Sequence, residues 1–141
     1  MFAGNFTADG KAFVCASQDH VVYVFDMARL ERHLCQNEQK ITRLSREQST
    51  ARKWIQIGQI GWAILDLALA PDSTTGCIAG WSDTIRIFNI NDDSLDSRPI
   101  SLPSDYLIRE HPAIFSARYS PDGYKIVGGL RNGTLAQFGK F

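Results

Sequence analysis

The sequence has no surplus of charge and no long apolar run, and no signal peptide is predicted from its first residues. Its 15 Lys and Arg residues balance its 15 Asp and Glu residues, so no net charge directs it toward nucleic acid or a membrane surface. No stretch of about 18 apolar residues occurs, so no membrane span is predicted. The N-terminal residues MFAGNFT lack the basic and apolar regions of a secretory signal.

Cysteine is scarce, and the motifs of common catalytic and metal sites are missing. The three cysteines are an odd number without metal-ligand spacing, which favours a reducing compartment, the cytoplasm or the nucleus. None of the three histidines has a Cys or His at ligand spacing. No GxSxG, HExxH or Gly-rich phosphate loop occurs, and no carboxylate pair marks an acid–base site. We therefore expect no enzyme activity, no metal and no cofactor.

Three segments of the chain share one spacing. Each has an aspartate in a turn and a phenylalanine 16 residues later: Asp9 and Phe25, Asp72 and Phe88, Asp122 and Phe138. The sequence around these two residues is similar in all three segments, which read FTADGKAFVCASQDHVVYVFD, LAPDSTTGCIAGWSDTIRIFN and YSPDGYKIVGGLRNGTLAQFG. Self-similarity of this kind indicates a repeat architecture and favours binding over catalysis.

Each repeat unit is predicted to be a set of antiparallel β-strands. Ala-Asp-Gly, Pro-Asp-Ser and Pro-Asp-Gly are turn sequences, in which the Asp side chain caps the turn and Gly supplies a positive φ. A second polar turn at 18–20, 81–83 and 131–133 returns the chain into the next apolar strand. Eleven strands are predicted in all: 2–6, 11–17, 21–26, 53–60, 64–70, 77–80, 84–90, 98–102, 113–120, 124–129 and 134–138.

This pattern resembles the WD repeat, in which four-stranded blades stack radially into a β-propeller. We therefore predict an all-β WD-repeat propeller fragment of about three four-stranded blades, with repeat units near 1–26, 60–90 and 113–138. A closed propeller has at least about four blades, so we expect the chain to be a piece of a longer protein or to depend on a partner. A β-sandwich with coincidental hairpins is the alternative fold.

The segment 27–53 interrupts the β pattern. It carries seven basic and three acidic residues, contains no Gly or Pro, and places Met27, Leu30 and Leu34 at helical spacing. We predict a charged insertion with one or two short helices. It is either a solvated loop or a basic docking element for an acidic partner or nucleic acid. No aromatic residue is interleaved with its basic residues, so a nucleic-acid partner is not expected.

The text from Gly61 to Ile90 resembles a family of substrate receptors. Gly61-Trp62 before the strand and the Trp-Ser-Asp turn at 81–83 are similar to the WD repeat-containing protein 23 family of cullin-4 RING ubiquitin ligase receptors. The similarity extends over nearly the whole chain except 27–53. It implies a rigid propeller that performs no bond chemistry. One face would hold the ligase adaptor, and the other would present a protein substrate for ubiquitination.

The same resemblance implies candidate partner-binding residues. Adaptor docking in this class is associated with an Asp-x-Arg signature after the third strand, and here Asp26 is followed by Arg29, one place late. Trp81, Asp83 and Arg131, from the polar turns, complete the candidate set. The alternative for the first pair is that Asp26 caps the strand end and Arg29 is solvated. The alternative function is a WD-repeat scaffold in a chromatin, RNA or trafficking complex.

Overall fold

The computed structural model describes residues 3–36, 51–58, 63–91, 97–103 and 112–139, which form an antiparallel all-β fold with one helix. The strands are β1 (Ala3–Phe6), β2 (Ala12–Ser17), β3 (Val21–Asp26), β4 (Ala51–Gln56), β5 (Ile64–Leu69), β6 (Thr75–Gly80), β7 (Thr84–Asn89), β8 (Ser97–Ser101), β9 (Ile114–Tyr119), β10 (Lys125–Leu130) and β11 (Leu135–Gly139). The predicted strand content is confirmed. No helix within these ranges is long and apolar enough to cross a membrane.

The strands form three sheets in chain order, each an antiparallel meander. The first sheet has the order β1-β2-β3-β4, the second β5-β6-β7-β8, and the third β9-β10-β11. Within the hairpins β1–β2, β2–β3, β6–β7 and β10–β11, a short turn joins the two strands and sets the register of their pairing. The 4-4-3 grouping of the strands agrees with the grouping expected from the repeats.

The aspartate turns have the predicted chemistry. The carboxylate of each accepts a backbone N–H two residues on, at 2.9–3.0 Å; these turn aspartates are Asp9, Asp72 and Asp122. The residue after each aspartate has a positive φ, 69° at Gly10, 60° at Ser73 and 76° at Gly123. Gly adopts this conformation without strain, whereas Ser does not, so the second turn carries a backbone strain that the other two avoid. The Ser73 hydroxyl accepts the Asp9 N–H at 3.1 Å and so links the first turn to the second.

The second sheet lies between the other two, and every sheet packs in the same sense. One apolar cluster joins the first and second sheets, and another joins the second and third. We call the side of a sheet that faces the next sheet its forward face, and the opposite side its backward face. Forward-face residues in these clusters include Val14 and Val22 of the first sheet and Cys77 and Ile85 of the second. Backward-face residues include Ile78 and Phe88 of the second sheet and Ile126 and Phe138 of the third.

The charged segment begins with a helix and ends in a strand. Helix α1 (Met27–Gln36) follows β3 directly and packs against it, with Leu30 buried, so the predicted helix is confirmed at this end. Residues 37–50 of the predicted insertion lie outside the described residues. Strand β4 begins at Ala51, two residues before the predicted strand. Arg52 and Lys53 therefore belong to the first sheet, where they donate hydrogen bonds to the backbone carbonyls of Ile90 and Asn89 at 3.3 and 3.1 Å.

Candidate functional site: surfaces at two opposite edges

The candidate residues lie at two opposite edges of the stacked sheets. The aspartate turns share one edge, because Asp9 of the first turn bonds Ser73 of the second. We call it the aspartate edge, and α1 starts from it, since Asp26 pairs with Ala12 at the beginning of β2. The polar turns at 18–20, 81–83 and 131–133 lie at the other ends of the same hairpins. Asp26 and Arg29 are therefore separated from Trp81, Asp83 and Arg131 by the length of a strand.

Trp81, Phe115 and Arg131 form an aromatic and cationic cluster at the edge opposite the aspartates, which we call the Trp81 surface. The Arg131 guanidinium carbon lies 5.3 Å from the centroid of the Trp81 ring, within the range of a cation–π interaction. The Phe115 ring meets the Trp81 ring edge to face, with centroids 5.6 Å apart and an interplanar angle of 86°. The cluster joins the second sheet to the third, and Phe115 remains 44% exposed.

Backbone hydrogen bonds hold the two turns that carry this cluster. The Trp81 N–H donates to the Ala63 carbonyl at 3.1 Å, and the Arg131 N–H donates to the Ala113 carbonyl at 3.0 Å. Each bond ties a polar turn to the segment that enters the first strand of the same sheet. The backbone that carries the Trp81 ring and the Arg131 guanidinium is therefore held in place by hydrogen bonds.

Asp83 lies in the same turn, but its carboxylate is directed to its neighbours. One oxygen accepts the hydroxyls of Ser82 at 3.3 Å and Thr84 at 3.0 Å. The turn also differs from its two counterparts, since His20 and Gly133 have positive φ values of 62° and 82° and no positive φ occurs at Asp83. Asp83 thus shapes the turn that places Trp81.

Phe115 is the member of the Trp81 surface that was not predicted from the sequence. It follows Ile114, which is fully buried, at the start of β9. Side chains on a strand point alternately to opposite faces, so Ile114 and Phe115 were expected on opposite faces of β9. That signal was present, but only the tertiary structure places the exposed ring beside Trp81.

An ionic link fixes the second and third sheets close to this surface. One oxygen of the Asp66 carboxylate accepts the Ala117 N–H at 2.9 Å and also pairs with the Arg118 guanidinium. Ala117 is fully buried, whereas the Arg118 side chain is 67% exposed. The link joins β5 to β9 two residues from Phe115, so it positions the cluster through the backbone of β9.

On the aspartate edge, Asp26 caps helix α1. Its carboxylate accepts the Arg29 N–H at 3.3 Å, the bond that an N-cap residue makes to the third residue of a helix. The Arg29 side chain is exposed on the first turn of α1. Asp26 and Arg29 are therefore joined by a bond from the Arg29 backbone to the Asp26 carboxylate. The signal for the cap was an Asp directly before residues at helical spacing.

Six ionisable groups, three in turns and three in strands, have pKa values shifted by local causes. The pKa of each turn aspartate is lowered from 3.8, first by a nearby hydroxyl and then by backbone N–H groups of its turn. The hydroxyls belong to Thr7 for Asp9, Thr74 for Asp72 and Ser120 for Asp122. Burial raises the pKa of the Cys15 thiol to about 11 and that of Cys77 to about 12, and it also raises the pKa of Tyr119. The two thiols are protonated at neutral pH and are poor nucleophiles.

The geometry of these surfaces suits noncovalent binding. In the part of the chain that is described, no three His, Cys, Asp or Glu side chains meet where they could hold a metal ion. The turn aspartates are bound to their own turns, and the Trp81 surface combines aromatic area with a cation. Comparison with models of known protein families finds none that matches this chain.

Proposed function

We propose that the chain is a protein-interaction scaffold built of WD-repeat blades that acts as a substrate receptor of a cullin-4 RING ubiquitin ligase. The observation that supports this function is the placement of two candidate surfaces at opposite edges of one stack of sheets. A receptor has to hold the ligase adaptor and the substrate at the same time without a steric clash. Surfaces a strand length apart on a packed core meet that requirement.

The Trp81 surface is the proposed substrate side. Trp and Arg dominate the binding energy of many interfaces, because they combine a large contact area with directed polar groups. The Phe115 and Trp81 rings suit an apolar side chain of the partner. The Arg131 guanidinium suits a carboxylate or a carbonyl beside it. The partner segment is therefore proposed to pair an apolar residue with an acidic one.

The start of α1 is the proposed adaptor side. Asp26 caps the helix, and Arg29 lies exposed on its first turn. In the proposed complex, the Arg29 guanidinium contacts the surface of the adaptor. The proposed pairing is between Arg29 and a carboxylate or carbonyl of the adaptor. Because Arg29 is one place late relative to the family signature, we expect the adaptor to be captured weakly by this chain.

The adaptor side is tested by capture of purified cullin-4 adaptor on the immobilised chain. Arg29→Glu is expected to abolish the weak capture. The Asp26→Ser substitution removes the carboxylate charge but retains a side chain that can cap the helix. Arg32→Glu is the matched control, since Arg32 is an exposed arginine on the same helix whose side chain bonds the Ala28 carbonyl. Equal capture by the wild type and both arginine variants contradicts the adaptor site.

The substrate side is tested by ubiquitin-remnant proteomics in cells that express the chain, with and without an inhibitor of cullin activation. Proteins whose modification depends on the chain and on active cullin are expected to lose it with Trp81→Ala and with Arg131→Ala. Trp54→Ala is the matched control, because Trp54 is 59% exposed on β4 of the first sheet, away from the Trp81 surface. Binding partners that depend on Trp81 without any cullin-dependent modification would identify a scaffold of another complex and overturn the ligase function.

A further inference from the structure

The three sheets pack on one another in the same orientation, forward face to backward face. One forward face and one backward face therefore have no sheet packed on them among the described residues. The forward face of the first sheet packs on the backward face of the second, and the forward face of the second packs on the backward face of the third. Within the described ranges, the forward face of the third sheet and the backward face of the first have no sheet packed on them. The chain therefore carries both halves of a contact that it already makes twice.

The free forward face of the third sheet has an apolar centre. Leu135 occupies the position of Val22 in the first sheet and Ile85 in the second, which are both fully buried, yet Leu135 is 69% exposed. Val127 is 40% exposed, whereas its counterparts in the other sheets, Val14 and Cys77, are fully buried. Between them lies Gly129, paired with Leu135, where a Cβ atom would meet nothing within 4 Å. The surface is open at its centre.

Polar side chains surround that centre. Val127 pairs with Arg118 on one side and with Gln137 on the other, and Lys125 lies two residues before it on β10. All three polar residues are exposed. An apolar centre with a polar rim is the composition of a protein–protein interface, and patches of this kind mark interaction sites.

The part of the first sheet's backward face that helix α1 leaves uncovered is aromatic. Phe6 is 55% exposed, and its ring lies 5.0 Å from that of Phe13. Its counterparts in the second and third sheets are Leu69 and Tyr119, and both pack against the cluster shared with the preceding sheet. Trp54 is 59% exposed and pairs with a second aromatic residue of the same sheet. Helix α1 packs against β3 and leaves both Phe6 and Trp54 exposed.

We propose that these two faces dock on each other between copies of the chain. The first sheet of one copy places its backward face, with Phe6, on the forward face of the third sheet of a second copy, over Leu135 and Val127. The contact continues the packing seen twice inside the chain, and both of its sides carry exposed apolar side chains. It is a head-to-tail contact, in which each copy uses a different face toward its neighbour. It does not depend on what the Trp81 surface binds.

Sedimentation velocity over a wide range of concentration tests the docking. The wild type is expected to self-associate, and Leu135→Glu and Phe6→Glu are each expected to weaken that association by more than about tenfold, because each places a charge in the apolar centre of one face. Tyr124→Glu is the matched control, since Tyr124 is 67% exposed but lies in a turn outside both faces. This variant is expected to associate like the wild type.

Mixing the two variants tests the head-to-tail geometry. Leu135→Glu keeps an intact first-sheet face and Phe6→Glu keeps an intact third-sheet face, so an equimolar mixture is expected to form a one-to-one dimer that neither variant forms alone. Leu135→Ser and Phe6→Ser replace the pair if a Glu variant loses its β-sheet circular dichroism. A wild type that remains monomeric, a Phe6→Glu variant that associates like the wild type while Leu135→Glu does not, or a mixture that stays monomeric overturns the proposal.

Discussion

Gly76 lies where any side chain would collide with a buried ring. It is on β6 directly opposite Phe88 of β7, and the Phe88 ring fills the space above it, 2% exposed, in the cluster between the first and second sheets. A Cβ atom at position 76 would stand 2.8 Å from Phe88 Cε2, closer still to Cζ, and 2.9 Å from Leu69 Cδ2. The counterparts of Gly76 in the other sheets are Phe13 and Ile126, so this glycine is specific to the second sheet.

We therefore expect Gly76→Ala to destabilise the fold. The Phe88 ring would have to withdraw into a region where the first sheet already packs against it, and overpacking of this kind costs about 1–3 kcal/mol. The substitution also restricts the unfolded chain, which offsets about 0.4–1 kcal/mol. The expected net loss is about 1–2 kcal/mol in the free energy of unfolding.

Urea denaturation followed by circular dichroism measures this loss, at concentrations below self-association. With a slope of about 1–3 kcal/mol per molar urea, the midpoint is expected to fall by about 0.3–2 M. Gly129→Ala is the matched control, because a Cβ there meets nothing within 4 Å and Gly129 has no positive φ. It is expected to leave the midpoint unchanged or raise it. Equal midpoints for the two variants would refute the close packing of Phe88 on Gly76.

Three further outcomes follow from hydrogen bonds and burial. Asp66→Ala is expected to lower the free energy of unfolding by about 1–3 kcal/mol, because the buried Ala117 N–H loses its acceptor. Arg118→Ala, which removes only the exposed side of the same link, is expected to cost less than about 1 kcal/mol, and the reverse order in urea denaturation would contradict this account. The turn aspartates have pKa values below their unfolded values, so their stabilisation is fully present above about pH 4 and is lost as the pH falls through the lowered values. Replacing all three with Asn is expected to flatten the dependence of the urea midpoint on pH below about pH 4, and an unchanged slope would show that other groups control acid unfolding. The Cys77 thiol, whose pKa is raised to about 12 by burial, is expected to react with a thiol reagent at pH 8 only as fast as the fold opens, and full reaction within the mixing time would contradict its burial.

The sequence by itself determined the repeating unit. Turn formation at Asp9 and Asp122 rests on an Asp that bonds its own backbone and a Gly that takes a positive φ, and both properties are local. The spacing between the aspartate turn and the polar turn then sets the strands and their antiparallel pairing. These features depend on residues a few positions apart, so they could be predicted before any tertiary contact was known.

Only the tertiary structure decided which units meet and through which side chains. Trp81 and Arg131 are 50 residues apart, and the cluster they form with Phe115 exists because the second and third sheets pack side by side. The sequence places Asp66 within a predicted strand, and only the structure shows that its carboxylate crosses to the next sheet. The sequence of each repeat specifies the turns and strands of that unit, since these depend on residues close together in the chain. The partners of its exposed edges depend on how rigid sheets stack, which is a property of the whole fold.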